Sequence, residues 1–439
     1  MFKTIKNAWA LPEIRSKILF TLLVIVVYRF GSVLPVPFLN VEALRSLMET
    51  VNSSGSFLGY LNMLTGGAFG NATLFAMGVT PYINASIIIQ LLTVAIPALE
   101  QMAKNGEEGR KKLATITRYV TVGFGLLQGT FYYLYLYNNA ITLYNDGFSL
   151  FFSAVIIVLA FTAGTALMMW LGEMINQKGL GNGISILLFA GIVARLPSTL
   201  YQLWAYFKMA VDDPSSAGKY FVFVPLFVVL FLAVIWVIIF MNDSERRIPI
   251  QYAKRVVGRR MYGGQSTNLG IKVSMSGVMP IIFASSILSI PSTIQFFLGS
   301  SVQSGFWAGF FKAFSSSGWL YSILYFILIV LFAYFYMAIQ YNPREMANNL
   351  RDNNGAIPGI RPGKPTEDFI NKILYRITLI GALFLAVIAI LPIVYGNVAG
   401  MASMSLGGTS IIIMVGVALD TVKQLENQML MRHYKGFLD

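Results

Sequence analysis

The stretch Gly78-Val-Thr-Pro-Tyr-Ile-Asn-Ala-Ser-Ile-Ile88 recurs further along the chain as Gly277-Val-Met-Pro-Ile-Ile-Phe-Ala-Ser-Ser-Ile287. Seven of the eleven aligned positions are identical: Gly78/Gly277, Val79/Val278, Pro81/Pro280, Ile83/Ile282, Ala85/Ala284, Ser86/Ser285 and Ile88/Ile287. Both stretches lie in apolar runs, and about 20 such residues can cross a bilayer as a helix. The match is either chance similarity between apolar helices or an internal repeat, and its register favours a repeat.

The composition is that of a membrane protein. Of the 439 residues, 56% are hydrophobic and 12% are charged, whereas a soluble domain carries about 25% charged residues. The chain has no cysteine, which excludes disulfides, thiol chemistry and Cys-based metal sites. The single histidine, His433, lies in the polar C-terminal tail, where a surface role is favoured over metal binding. We expect no metal and no cofactor.

Ten apolar runs are predicted to span the membrane, and we number them spans 1 to 10. Eight are clear, at 18–34, 74–96, 116–137, 149–171, 221–241, 273–298, 319–341 and 373–395. Two are weaker: 184–204, which Arg195 and Pro197 interrupt, and 401–420, which glycines and small polar residues dilute. The basic N-terminal segment resembles no cleavable signal peptide, so span 1 is expected to remain.

The distribution of basic residues predicts the orientation, because Lys and Arg accumulate in cytoplasmic loops. With both termini cytoplasmic, the inside segments carry 26 of the 32 basic residues, the outside loops carry five, and Arg29 lies within span 1. Arg29 is expected to snorkel to the outer surface. This bias explains most of the net charge of +13 without nucleic-acid binding. The basic loop 242–272 could equally be a docking surface for an acidic partner.

The repeated motif lies in spans 2 and 7, which are five spans apart and therefore cross the membrane in opposite directions. Paired Gly/Pro-containing segments in inverted halves point to a transport path between the halves. Pro81 and Pro280 each remove a backbone hydrogen bond, which weakens the interior of a helix. We therefore expect spans 2 and 7 to line the path and to be able to move.

Polar side chains in spans 2 and 7 are expected to face one another as a gate. The set is Thr80, Asn84, Ser86, Gln90, Ser285 and Ser286. Hydrogen bonds between membrane helices are weak, about 0.6 kcal/mol each, so such a seam could be closed without being locked. Ordinary contact between helices is the alternative. Ile83 and Ile87, one turn apart, could form an apolar constriction.

A short apolar segment at 57–70 precedes span 2 and ends in Gly66-Gly67. It is too short to cross the bilayer. It is predicted to be either an interfacial helix on the outer surface or a re-entrant element in the mouth of a cavity, where protein or water must surround it.

The spans lack the chemistry of an ion-coupled transporter or an enzyme. All 19 acidic residues lie in loops, tails or span ends, so no proton or sodium relay can be assembled. No catalytic set and no nucleotide-binding loop is present, and we expect no enzymatic activity. The chain is interpreted as a passive channel driven by a partner. A small-solute secondary transporter and a membrane scaffold are the alternatives.

Five motifs in order resemble the SecY family of protein-translocation channels along nearly the whole chain. They are Thr-Pro-Tyr-Ile-Asn-Ala-Ser-Ile-Ile-Ile-Gln-Leu-Leu (80–92), Gly-Leu-Gly-Asn-Gly-Ile-Ser-Ile (179–186), Ile-Pro-Ile-Gln-Tyr-Ala-Lys-Arg (248–255), Gly-Val-Met-Pro-Ile-Ile-Phe-Ala-Ser-Ser (277–286) and Ile-Pro-Gly-Ile-Arg-Pro-Gly-Lys-Pro-Thr (357–366). The resemblance implies an all-α polytopic fold of ten helices in two inverted five-helix halves, 1–205 and 206–439, around an hourglass pore. It also implies a lateral gate between spans 2 and 7.

The resemblance also assigns roles to residues. The segment 57–70 would be a short re-entrant plug helix, with the residues Leu61, Asn62, Met63, Leu64, Gly66 and Gly67. The narrow pore ring would map to Ile83, Ile87, Leu188, Ile282 and Ile413. Leu188 stands where Ile is typical of the family, a difference that is expected to change little.

Partners follow from the same resemblance. The cytoplasmic loops 242–272 and 341–372 would dock the ribosome or the SecA motor ATPase, through Arg361 with Lys254, Arg255, Arg259 and Arg260 in support. Small SecE-like and SecG-like membrane subunits would accompany the channel in the bacterial plasma membrane. Its cargo would be signal peptides and unfolded secretory or membrane polypeptides, with membrane segments released sideways into the lipid bilayer.

Overall fold

The computed structural model describes residues 9–53, 62, 65–144, 146–212, 218–252, 255–257, 260–262, 266–275, 277–298, 309–310, 318–400 and 407–435. In the first part of the chain the helices are α1 (Pro12–Gly31), α2 (Val41–Ser53), α3 (Thr80–Ala95), α4 (Pro97–Lys104), α5 (Gly106–Asn138), α6 (Gly147–Lys178), α7 (Gly183–Ala194) and α8 (Leu196–Asp212). Further along the chain they are α9 (Tyr220–Asp243), α10 (Met279–Leu298), α11 (Trp319–Gln340), α12 (Pro343–Asp352), α13 (Lys364–Ala399) and α14 (Gly407–Lys435).

A helix occupies most of each of the ten predicted spans within the described residues. In chain order these helices are α1, α3, α5, α6, α7 with α8, α9, α10, α11, α13 and α14. Five helical stretches of the described chain are long and apolar enough to cross a membrane, or six if the bent pair α3 and α4 counts as one span. Charged residues occupy the ends of α1, α5 and α14, which shortens their apolar parts. Span 5 is broken at Arg195, between α7 and α8, as its sequence predicted.

Spans 2 and 7 begin later than predicted. Residues 74–79 form turns, and α3 begins at Thr80, so Pro81 lies in the first helical turn. Pro280 is likewise the second residue of α10. A proline in the first turn removes no intrahelical hydrogen bond, so the expectation that these prolines weaken the helix interior was wrong.

The two halves nevertheless share the same local geometry at this point. Gly78 has a φ of 55° and Gly277 a φ of 56°, the left-handed region that glycine enters at little cost. Each glycine lies two residues before the first residue of its helix. The repeated Gly-Val-x-Pro pattern is therefore a start signal for two equivalent helices, and its structural match supports the internal repeat.

Two large apolar clusters form the centre of the molecule, and each contains residues from both halves of the chain. The first cluster draws on α1, α6 and α7 and includes Ile413 and Val417 of α14. The second draws on α9, α10, α11, α13 and α14 and includes Ile87 of α3. The contact between the halves in these clusters is therefore apolar and joins α3 and α7 of the first half to α10 and α14 of the second.

The basic loop 242–272 contains strands, which the all-α expectation did not anticipate. Strand β1 (Glu245–Tyr252) pairs antiparallel with β4 (Ser266–Lys272), with Ile248 opposite Leu269, and its far end pairs with β5 (Gly355–Ala356). Strands β2 (Arg255–Val257) and β3 (Arg260–Tyr262) form the tip. Along β1, Ile248 and Ile250 are buried while their neighbours are exposed. This period of two is the pattern of a strand with one buried face.

Candidate transport path

Four of the five predicted ring residues meet in one apolar cluster. Leu188 of α7 and Ile413 of α14 are 6% and 3% exposed, and the half-buried Ile83 of α3 and Ile282 of α10 pack against the same cluster. The structure thus brings together one side chain from each of four helices. A constriction lined in this way excludes water and ions because no polar group replaces their hydration.

The fifth ring residue, Ile87, lies in the neighbouring cluster of the second half. It is 4% exposed and shares that cluster with Ile281, Ala284 and Leu288 of α10. Ile83 packs against both clusters. One helical turn of α3 therefore connects the candidate ring to the seam between the two halves.

The predicted gate residues lie on α3 and α10, and two of their hydrogen bonds run within one helix. Gln90 Nε2 donates to Ser86 Oγ over 3.4 Å, and Ser285 Oγ donates to the Ile282 carbonyl over 2.9 Å. Ser285 is buried, whereas Thr80, Asn84 and Ser286 are half-buried. The apolar contacts of the Ile87 cluster also join α3 to α10 at this seam.

The plug prediction falls partly outside the described residues. Leu61, Met63 and Leu64 lie outside them, while Asn62, Gly66 and Gly67 lie inside. Residues 65–70, which we call the turn segment, form consecutive turns instead of a helix. Asn62 is buried and closes these turns, since its Oδ1 accepts from the Gly70 N–H over 2.8 Å and its carbonyl accepts from the Gly67 N–H over 2.8 Å.

Helices α1 and α5 hold the turn segment from two sides. Tyr28 Oη of α1 donates to the Thr65 carbonyl over 3.4 Å, and Tyr132 Oη of α5 donates to the Phe69 carbonyl over 2.6 Å. The Tyr132 ring also lies 4.4 Å from the Phe69 ring, centroid to centroid. The turn segment is thus an ordered piece of backbone packed against α1, α5 and, at Gly66, Gly191 of α7.

Arg29, which the sequence predicts to snorkel, is half-buried, and one of its guanidinium nitrogens lies against the turn segment. Its Nη1 atom is buried and has no hydrogen-bond partner in the described chain, and it lies beside Gly66 of the turn segment. The Nη1 atom is buried there because the end of α1 packs against this segment. Its position as the one charge within span 1 was the signal that could have identified it as part of the site.

Only some of the predicted docking residues lie within the described part of the chain. Lys254 and Arg259 lie outside the described residues, and the structure describes only the backbone of Arg255 and Arg260, in β2 and β3. Arg361 is exposed on a rigid turn. Thr366 Oγ1 donates to the Arg361 carbonyl over 2.9 Å, and no carboxylate of the described chain pairs with its guanidinium.

The basic loop between spans 2 and 3, residues 98–117, differs from this arrangement. Its lysines are neutralised along α4 and α5 by carboxylates one helical turn earlier, in the pairs Glu100–Lys104, Glu107–Lys111 and Glu108–Lys112. Arg118 of α5 pairs with Glu173 of α6 over 2.6 Å. The lysines of this loop therefore have carboxylate partners, whereas Arg361 has none in the described chain and is available to an acidic partner.

Comparison with known proteins identifies the family. A family model described as SecY matches residues 73–422. The protein translocase subunit SecY of Bacillus subtilis is 45% identical over 442 residues, and that of Halalkalibacterium halodurans is 43% identical over 448, each alignment covering 100% of both chains.

Solved structures show the same fold at lower sequence identity. A protein-conducting channel superposes with a TM-score of 0.64 at 17% identity, covering 94% of this chain and 92% of that chain. Sec61 from the canine ribosome–channel complex of the endoplasmic reticulum gives a TM-score of 0.62 at 16% identity with the same coverage. These structures confirm the predicted class of polytopic helical membrane protein. The family model and the full-length identity to the two bacterial subunits show that the chain belongs to the SecY family.

Proposed function

We propose that this chain is the pore-forming subunit of a protein translocase, a passive channel for unfolded polypeptides. The observation that carries the proposal is the meeting of Ile83, Leu188, Ile282 and Ile413 in one apolar cluster between the two halves. An apolar ring can close around an extended chain of any sequence because it makes no specific polar contacts, and it resists ions when empty. The similarity to the translocase subunits of two bacteria supports the same function.

The gate lies between α3 and α10. These helices begin with the same motif and the same glycine geometry, and the seam between them is apolar in its described part. Apolar contacts in a bilayer have little preference for protein over lipid, so this seam can part to release a membrane segment sideways. The halves that move apart are residues 1–205 and 206–439.

The turn segment and Asn62 belong to the plug that closes the outer mouth. The burial of Asn62 and the contact of Gly66 with α7, the helix that carries Leu188, support this role, and a solved structure of the same fold concerns a SecY plug domain that stabilises the closed channel. Both termini and the strand-containing loop are cytoplasmic in the bacterial plasma membrane, in accord with the excess of basic residues on that side.

Energy comes from a partner, because the spans hold no ion-coupling charges and the chain holds no nucleotide site. The ribosome or a SecA motor docks on the cytoplasmic loops, with Arg361 as the principal contact and Lys254, Arg255, Arg259 and Arg260 in support. A solved relative in fold is part of a ribosome–channel complex. SecE-like and SecG-like small subunits complete the channel.

Crosslinking of the gate tests this proposal. The chain has no natural cysteine, so cysteines at Ser86 and Ser285 can be joined selectively in purified channel reconstituted with its partner subunits. Joining them should stop export of a secretory precursor, and reduction should restore it. Cysteines at Ser149 and Ser153, one turn apart on α6, are the control because a bond there joins no two helices. Unimpaired export by the joined channel would reject the gate.

A further inference from the structure

Arg29 has an unusual environment for a charged residue in a span. Its Nη1 is buried and has no protein acceptor within the described chain. Leaving a buried charged donor without a partner is costly, more so than for a neutral group. The side chain could reach the outer surface, since it lies near the end of α1 (Pro12–Gly31). The burial of Nη1 beside the turn segment therefore points to a role in the path.

Gly66 of the turn segment lies against this guanidinium. A Cβ built at Gly66 would be 3.1 Å from Arg29 Nη1 and 2.8 Å from the carbonyl oxygen of Gly191. The φ of Gly66 is 66°, a conformation that disfavours any side chain. The Arg29 Nη1 donor and the Gly191 carbonyl acceptor thus both lie within about 3 Å of the point where a Gly66 side chain would begin.

The Gly191 carbonyl is a suitable acceptor for a cation. It belongs to the last turn of α7, where carbonyls have no partner further along the helix. The cap N–H of Arg195 donates to the Ile192 carbonyl over 3.1 Å. The carboxyl end of a helix also carries partial negative charge, which favours a nearby guanidinium.

We propose that Arg29 is a positioning residue that favours release of the turn segment from its closed position. While the segment is in place, Gly66 lies beside both the Arg29 guanidinium and the Gly191 carbonyl, and Nη1 is buried without an acceptor from the described chain. When the segment leaves, Arg29 gains water and the Gly191 carbonyl. The charge therefore raises the free energy of the closed channel relative to the open one. This inference rests on the proposed function, in which the segment closes the path.

The opposite role, a brace that holds the segment closed, fits the contacts less well. The segment is held by Tyr28, which donates to Thr65, and by its own bonds to Asn62. Arg29 Nη1, the guanidinium atom beside Gly66, makes no hydrogen bond to the described part of the segment. The two roles predict opposite effects of removing the charge, so one measurement separates them.

The test uses a single cysteine in the turn segment as a reporter. Ala68 is 1% exposed, so in an Ala68→Cys channel the modification rate by a water-soluble thiol reagent reports how often the segment leaves its position. Arg29→Met, which keeps much of the length of the side chain without its charge, should slow modification roughly tenfold, as expected when a buried unsatisfied donor is removed. Arg29→Lys should stay near the parent rate.

Two further variants complete the comparison. Arg195→Met is the matched control, because Arg195 is a half-buried arginine at a helix junction and bonds to no described residue of the turn segment. It should leave the rate unchanged. If Arg29→Met fails to accumulate in the membrane, Arg29→Gln replaces it, with a slowing of intermediate size expected. A faster rate in the neutral variants would establish the brace, and an unchanged rate would remove Arg29 from the opening equilibrium.

The thiol assay needs no polypeptide cargo, so it separates this inference from the proposed function. Export of a precursor by the same variants is measured in parallel, and Arg29→Met should slow it while Arg195→Met should not. If the parent channel exports nothing, the proposed function fails while the thiol rates still decide the role of Arg29. If export is normal but thiol rates do not respond to Arg29, only the present inference fails.

Discussion

Tyr132 donates a hydrogen bond from its hydroxyl to the backbone carbonyl of Phe69 over 2.6 Å, across the interface between α5 and the turn segment. Tyr132 is 2% exposed, so this carbonyl has little access to water as a replacement. Tyr132→Phe should therefore destabilise the closed position of the turn segment by about 1–2 kcal/mol. Modification of the Ala68→Cys reporter should accelerate by roughly tenfold, since 1.4 kcal/mol is a factor of ten.

Tyr137→Phe is the matched control for this prediction, because Tyr137 lies on the same helix but is 38% exposed. It should change the rate by less than about twofold, as is usual for a surface substitution. Equal rates in the two phenylalanine variants would show that the Tyr132 hydrogen bond does not hold the turn segment.

Gly66→Ala should prevent the turn segment from reaching its closed position. The new methyl group would lie 2.8 Å from the Gly191 carbonyl oxygen, which is backbone and cannot rotate away. Gly67→Ala is a close control, since Gly67 also has a positive φ of 91° but a methyl group there would meet no atom of the described chain within 4 Å. Both variants carry backbone strain of about 1–2 kcal/mol, and only Gly66→Ala adds the collision.

Ion leakage through the empty reconstituted channel measures the difference between these glycine variants. It should rise strongly in Gly66→Ala and only slightly in Gly67→Ala. Similar leakage in both would mean that strain alone, and not contact with the Gly191 carbonyl, determines the closed position.

Gly164→Ala should destabilise the first half of the molecule. A Cβ at Gly164 of α6 would collide with the Leu74 carbonyl oxygen, so helix and turn would have to separate. Overpacking of this kind costs about 1–3 kcal/mol. Gly123→Ala in α5 meets no atom within 4 Å in the described chain and should be neutral or slightly stabilising, because Ala is the better helix former. Thermal unfolding of purified protein in detergent would compare the two, and equal midpoints would contradict the close packing.

The sequence predicted those features of the fold that depend on periodic hydrophobicity. Span positions were recovered because a bilayer requires long apolar runs, and even the break at Arg195 was visible. The starts of α3 and α10 were missed, since residues 74–79 are as apolar as the helix that follows. Only the left-handed Gly78 and Gly277 separate turn from helix there, and glycine alone does not reveal its φ.

Features that depend on packing between distant segments could not be predicted from the sequence. Arg29 was expected at the surface because a charge in lipid is costly, but the turn segment, far along the chain, provides protein surroundings on the inner side of α1. The strands of the 242–272 loop were overlooked because its many basic residues obscured the alternation of Ile248 and Ile250. The ring residues remain a prediction about the pore, although the structure brings four of them together.

Arg361→Glu should abolish export driven by a cytoplasmic motor while leaving membrane insertion and thermal stability intact. The side chain is exposed and pairs with no described carboxylate, so reversal of its charge breaks no internal ion pair of the described chain. The turn beneath it is held by backbone and Thr366 contacts that the substitution does not touch. The acidic side chain would repel an acidic docking surface, where like charges in contact cost several kcal/mol.

The matched control for Arg361 is Lys372→Glu, an equal charge reversal at an exposed position in the first turns of α13. If the effect depends on a specific contact at the rigid turn, Arg361→Glu loses export and Lys372→Glu retains most of it. If it depends only on the summed positive charge of this side, both variants lose export to a similar extent, and the loss in both should grow at low salt as screening weakens. Normal motor-driven export by Arg361→Glu would exclude this turn as the docking contact, because a buried interfacial charge of the wrong sign could not be tolerated there.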